Sequence, residues 1–282
     1  YDFETANETR ETREALTNWH MADGGRIRIE AGVHAEYTSF PGLWRAEADF
    51  AQEHGLQMHL HLSETQKEHQ ECLARWGKTP TQVLAEYGVF DARTTAAHGV
   101  WLTQPDMELL AEKGAAVAHN PVSNLKLASG VAPVTKMLEK GVVVALGTDG
   151  MASNNNHDLF EEIKLCAILQ KGISGNPQAL PAWQALRCAT QGGAYAQGRE
   201  TECGALRLGM DADLILLDAS VPSMQPMHNP ISSLCYSASG RDVRLTMVRG
   251  KILYENGEFY TIDLEKVLHE AKTYALPRIL GK

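Results

Sequence analysis

Two hydrophobic periods alternate along the first 190 residues. In Gln57–Leu62, His59 and His61 alternate with Met58, Leu60 and Leu62, which is the period of a strand and puts both imidazoles on one face. Arg26–Gly32 behaves likewise: Ile27, Ile29 and Ala31 alternate with Arg26, Arg28 and Glu30, and the strand runs on towards His34. Three further short apolar runs, Thr94–Val100, Ala115–Ala118 and Val142–Leu146, read as strands. Helical spacing fills the intervals: Glu4–Trp19, Pro41–His54, Gln66–Trp76, Thr81–Tyr87, Pro105–Lys113, Val131–Lys140, His157–Gln170 and Ala182–Thr190. No hairpin signal interrupts the series, so the strands are expected to be parallel and joined by crossover helices.

The strand ends share a chemistry. They lead to His34, to His61 and Glu64, to His98, to His119-Asn120 and to Asp149. A parallel barrel collects all such ends at one mouth, and an open doubly wound sheet collects them at one edge. No glycine-rich phosphate loop follows any of these strands, and the residues offered are metal-ligand types, which favours the barrel. The style changes after Gly204. Ala212–Leu217, Val243–Val248 and Lys251–Tyr254, with Arg249-Gly250 and Asn256-Gly257 as turns, read as a β-meander, and Asp263–Leu280 as a closing helix. The expected division is a hydrolase barrel over 1–200 and β-sandwich strands with the closing helix over 201–282.

Composition narrows the classes of function. The 282 residues are 44% hydrophobic and 22% charged, enough to bury a sizeable core. A net charge of −9 argues against a nucleic-acid surface. No apolar run approaches the roughly 20 residues of a membrane span. Five cysteines without a CxxC pair point to reduced thiols and a cytoplasmic location. The chain opens Tyr1-Asp2-Phe3, without Met and already close to helical sequence, so a truncated N-terminus is expected.

His61 with Glu64 is the leading chemical candidate: a strand end holds a ligand nitrogen rigidly, and a carboxylate three residues on reaches substrate without ligating. His59 is divided between partner in an H-x-H chelate and core histidine. Asp149, in Leu-Gly-Thr-Asp-Gly after a buried strand, is divided between ligand and helix cap. His98 and His119, taken singly, fit satisfied core histidines, and Asn120-Pro121 fits a turn.

Taken together, four segments resemble a family. They are His-Leu-His-Leu-Ser-Glu-Thr (59–65), Ala-His-Gly-Val (97–100), Ala-His-Asn-Pro-Val-Ser-Asn-Leu-Lys-Leu-Ala-Ser-Gly (118–130) and Leu-Gly-Thr-Asp-Gly-Met-Ala-Ser-Asn-Asn-Asn (146–156). They are similar to the amidohydrolase superfamily, in its branch of 5-methylthioadenosine/S-adenosylhomocysteine deaminases and related chlorohydrolases. Gly204–Leu214 and His228-Asn229-Pro230 agree. The resemblance implies an α/β fold, a (β/α)₈ TIM-type barrel with a small β-sandwich. It implies one divalent metal, zinc first, with iron, manganese or nickel as alternatives. His61 and Asp149 match metal ligands, Glu64 the proton-transferring acid and His98 the histidine that orients the reacting water. His34 matches a substrate-binding histidine, although Ala35-Glu36 after it departs from the usual Ser-Pro. Arg10 and Arg13 both lie where an arginine contacting the substrate's distal end is expected.

The resemblance also exposes an absence. About five of eight barrel strands are legible, and the first-strand H-x-H is not among them. The chain therefore reads as the C-terminal two-thirds of an enzyme, with the remainder outside this sequence or on another chain. The implied activity is hydrolytic deamination of a small purine nucleoside by a homo-oligomer. The rivals are a chlorohydrolase acting on a triazine ring, another nucleobase deaminase, and a non-catalytic fragment or assembly subunit.

Overall fold

Five strands pair in parallel in the order of the chain: β1 (Ala31–Gly32), β2 (Met58–Leu62), β3 (Thr94–His98), β4 (Ala116–His119) and β5 (Val143–Leu146). The computed structural model describes residues 2–281; Tyr1, at the opening of the chain, and Lys282 lie outside the described residues. A strictly sequential order has no switch point, which separates this sheet from a doubly wound one and matches successive units of a (β/α) barrel. The registers are continuous, with Leu60 opposite Ala96, Ala96 opposite Val117 and Val117 opposite Val144.

One face of the sheet carries the core. Met58, Leu60 and Leu62 are fully buried there with Val117, Trp44, Leu84, Phe90 and Leu110. Each such side chain contributes about 1.5–3 kcal/mol by leaving water. Three helices start with the same reciprocal cap, in which the hydroxyl of Thr65, Thr79 or Thr103 accepts the third backbone N–H while Glu68, Gln82 or Asp106 returns to the cap.

The expected strand Arg26–Gly32 pairs only at its end. Ala31 and Gly32 meet Met58 and His59, whereas Arg28 is drawn to the carbonyl of Gly198 and the carboxylate of Glu202. The predicted turn at Asn120-Pro121 is the start of a short helix, Pro121–Lys126, because proline is well suited to a first helical position. The helix expected over His157–Gln170 runs Leu159–Ser174, with Asp158 as its cap.

Residues 192–203 close the amino end of the sheet. The Gln57 amide and the Thr95 hydroxyl donate to the Ala196 carbonyl, and Arg93 pairs with Glu200 and the Tyr195 carbonyl. A cavity of about 480 Å³, lined by Trp183, Arg187, Tyr195 and Arg207 among others, lies at this same end. Beyond it comes a four-stranded antiparallel sheet: β6 (Leu214–Leu217), β7 (Val243–Val248), β8 (Lys251–Glu255) and β9 (Glu258–Phe259). Its last turn places Asn256 at φ 47° and Gly257 at φ 99°, the left-handed pair a tight hairpin requires. Between β6 and β7, the helix Pro230–Tyr236 returns to the parallel sheet's core through Cys235.

Candidate active site

The titratable strand ends meet at the carboxyl end of the sheet, opposite the cavity. Their grouping begins with β2. The N–H groups of Ser63, Glu64 and Thr65 all donate to the carboxylate of Glu68, and Ser63 adopts φ 48°. This wraps the chain over the end of β2 and turns Glu64 towards the mouth. Burial pushes the Glu68 carboxyl up, and the three N–H groups offset only part of that rise.

His61 is oriented by backbone. Its Nδ1 is 2.7 Å from the carbonyl oxygen of His34. A carbonyl only accepts, so Nδ1 carries the proton and Nε2 keeps its lone pair. His34, exposed at the rim, places its ring 4.6 Å from that of His61 and its Nδ1 2.8 Å from the Thr38 hydroxyl. The departure at Ala35-Glu36 has a structural counterpart. Glu36 is 2% exposed and accepts from Arg75 at 2.6 Å and from the Trp76 indole at 2.8 Å. It pins the loop after β1 to the end of the helix Gln66–Trp76.

His98 lies beside His61, their rings nearly parallel at 5.5 Å. It is buried, with φ 76°. Its Nε2 is 3.8 Å from Oε2 of Glu64, and its Nδ1 is 2.9 Å from Oδ1 of Asn124. The other Glu64 oxygen accepts from the Ser129 hydroxyl at 3.2 Å.

Asp149, at φ 60°, accepts from the Ser123 hydroxyl, the Gly150 N–H at 2.6 Å and the Ser153 hydroxyl at 2.9 Å. Burial would raise its carboxyl, but these hydrogen bonds and the nearby His98 outweigh it and hold the group below the ordinary aspartate range. It is not a helix cap; Gly150 occupies that position. Beneath it, Glu162 accepts from the Val122 N–H and the Asn154 amide, and burial pushes its carboxyl up to about 7. His119 is fully buried. Burial pushes it down to about 3, so it is a neutral imidazole, and its Nε2 has no hydrogen-bond partner.

Three expected positions stand apart from this cluster. His59 shares the face of His61, as the alternation requires, but its side chain is 54% exposed and meets Glu30 at 3.1 Å. It does not pack beneath the site; its ring is turned outward to Glu30. Arg10 is exposed on the helix Asn7–Trp19. Arg13, on the same helix, pairs with Glu4 at 2.7 Å and lies over the Phe50 ring. Neither arginine touches the mouth residues. Conversely, Glu68, Ser123, Asn124 and Ser129 support the site without having been singled out. The last three lie inside the 118–130 motif, so the segment signalled them although their partners did not.

The donor set suits a divalent cation in part. His61 offers an imidazole nitrogen fixed by a backbone carbonyl, the usual outer-sphere arrangement of a metal-ligating histidine, and Asp149 offers an anchored carboxylate. Among the described residues, no group of three or more His, Cys, Asp or Glu side chains converges as a complete metal site.

The amidohydrolase family model matches residues 1–253. The 5-methylthioadenosine/S-adenosylhomocysteine deaminase of Dictyoglomus thermophilum is 48% identical over 262 residues, covering 93% of this chain and 61% of that protein. The 5'-deoxyadenosine deaminase of Methanosarcina acetivorans is 46% identical over 266 residues, covering 94% and 61%. Among solved structures, a zinc-bound adenosine deaminase from Xanthomonas campestris superposes with a TM-score of 0.92 at 33% identity, over 97% of this chain and 62% of that one. An atrazine chlorohydrolase from Arthrobacter aurescens, complexed with zinc, superposes with a TM-score of 0.86 at 27% identity, over 93% and 58%. This chain spans about three-fifths of the length of these relatives. With a family model matched across most of its residues and a parallel sheet that gathers His61, Glu64, His98 and Asp149 towards one end, the chain belongs to the amidohydrolase family.

Proposed function

We propose that this chain carries the acid–base half of a metal-dependent deaminase acting on an adenosine-type nucleoside: 5-methylthioadenosine, S-adenosylhomocysteine or adenosine. The observation that carries the reading is the Glu64–His98 pair beside the oriented ring of His61. His61, through Nε2, and Asp149, through its carboxylate, would hold a divalent metal, zinc by preference. That cation would supply the charge that lowers the pKa of a water towards neutrality. His98, through Nε2, and Asp149 take or orient the proton of the attacking water. Glu64 delivers a proton to the ring nitrogen next to the amine-bearing carbon, as the non-ligand glutamate does in zinc deaminases. The water oxygen bonds to that carbon, the Glu64 carboxylate carries the remaining hydroxyl proton to the amine, the carbon–amine bond breaks and ammonia leaves, and the first proton taken from the water restores the Glu64 acid. Ser129 keeps the Glu64 carboxylate turned inward through this exchange.

His34, exposed at the rim beside His61, is suited to the ribose side of the substrate. Arg10 has no ion-pair partner among the described residues and is freer than Arg13 to meet a substrate's distal carboxylate. The barrel over 1–200, the β part over 201–282 and a homo-oligomeric state belong to the same reading. Five unpaired cysteines, four of them buried, support a reducing, cytoplasmic setting. No helix among the described residues is long and apolar enough to cross a membrane.

The higher identity to the deaminases favours this chemistry over chloride displacement. Zinc-supplied protein given 5-methylthioadenosine and, separately, a chlorotriazine separates the two. Ammonia from the first supports deamination; chloride from the second, without ammonia, replaces it. Neither product, with no bound metal, favours a non-catalytic role.

A further inference from the structure

Asn124 is fully buried in the helix Pro121–Lys126, and its amide lies between two buried histidines. Oδ1 is 2.9 Å from Nδ1 of His98, and Nδ2 is 3.5 Å from Nδ1 of His119. The strand registers explain the meeting. Ala97 pairs with Ala118, so the next residues, His98 and His119, end side by side on neighbouring strands. The helix that follows β4 folds back over both ends.

An amide oxygen only accepts hydrogen bonds. At 2.9 Å it therefore requires the His98 proton to sit on Nδ1, which leaves the lone pair on Nε2. That nitrogen is the one 3.8 Å from Glu64. The opposite tautomer would set an Nδ1 lone pair against the amide oxygen between two buried side chains, which is costly. Of the two amides that reach this nitrogen among the described residues, the Asn124 oxygen at 2.9 Å is closer than the Asn120 Nδ2 at 3.5 Å.

The backbone of the same residue serves the other partner. The Asn124 carbonyl accepts from the N–H groups of Ser129 at 2.8 Å and Gly130 at 3.4 Å. This closes the turn that brings the Ser129 hydroxyl to Glu64, and the Trp101 indole secures it by donating to the Ser129 carbonyl at 2.8 Å.

We propose that Asn124 is a positioning residue that locks His98 as its Nδ1–H tautomer, so that His98 meets the reacting water as a proton acceptor. The consequence for turnover rests on the deaminase reading; the tautomer itself does not.

The test is the ¹⁵N spectrum of the histidine rings in the labelled protein, with His98→Gln identifying the His98 signals by their loss. The expected result is a protonated Nδ1 and an unprotonated Nε2 at His98. Asn124→Asp, which keeps an acceptor, should retain that pattern, and Asn124→Leu should lose it. An Nε2–H tautomer in the unmodified protein overturns the proposal, because it means the amide is reversed. An unchanged Nδ1–H in Asn124→Leu overturns it equally. Should Asn124→Leu not fold, the unmodified protein and Asn124→Asp decide. With turnover in hand, Asn124→Leu should lower kcat about 10–100-fold with little change in KM. Absence of turnover in the unmodified protein would remove the deaminase reading and leave the tautomer result standing.

Discussion

Glu64 and His98 face each other with Oε2 and Nε2 3.8 Å apart, and each is held from behind by the 118–130 segment, Glu64 by Ser129 and His98 by Asn124. In the proposed deaminase, an acid and a base arranged in this way would divide proton traffic between two atoms whose orientations are set by one stretch of chain. If Glu64 is the proton carrier, Glu64→Gln should keep its place in the turn and lose its function. Turnover should fall by about 10²–10⁴-fold while bound metal is unchanged. Ammonia release together with metal analysis checks this, and near-normal turnover would remove Glu64 from the mechanism.

The tie of Glu36 to Arg75 and Trp76 predicts a stability effect away from the chemistry. Arg75→Met leaves a buried carboxylate without its guanidinium partner, at a cost of about 1–3 kcal/mol. Denaturant midpoints measure it. A shift inside experimental error would mean that water replaces the guanidinium.

Adjacent glycines offer a matched pair. A Cβ at Gly192 would stand 2.1 Å from the Val144 carbonyl oxygen, so the segment that closes the amino end of the sheet would have to move. Gly192→Ala should destabilise by about 1–3 kcal/mol or more. At Gly193 nothing lies within 4 Å and the backbone is helical, so Gly193→Ala should be neutral or stabilising by up to about 1 kcal/mol. Thermal unfolding of both variants tests the packing of β5 against this segment.

Glu162 and Glu47 predict the pH dependence. Burial pushes both carboxyls from 4.5 up to about 7 in the folded chain. A raised folded pKa means that the folded state holds the proton more tightly than the unfolded one. The stabilising contribution is therefore complete below about 4.5 and is lost as pH rises through about 7. Glu162→Gln should flatten the fall in stability over that window. The lowered carboxyls of Asp149 and Asp218 act in the opposite sense: their contribution is present at neutral pH and lost as acid protonates them. Denaturant titrations at several pH values, with and without Glu162→Gln, resolve the two senses.

Much of the frame is legible in local sequence. The alternation around His59 and His61 and the strand–helix repeat depend on neighbours a few residues away. They correspond to β2 and a sequential parallel sheet. Period two also put the two histidines of β2 on one face. It could not say whether that face would be covered, and His59 proves to be half-exposed beside Glu30.

What only the tertiary structure decided is the set of partners. Glu36 with Arg75, Asn124 with His98, Ser129 with Glu64 and Ser123 with Asp149 are separated by 26 to 65 residues in the chain. No periodicity links residues so far apart. Strand register and the fold of the loops at the carboxyl end of the sheet bring them within hydrogen-bond reach. Burial then requires each polar group to find a partner, and this turned a row of separate strand ends into a candidate site.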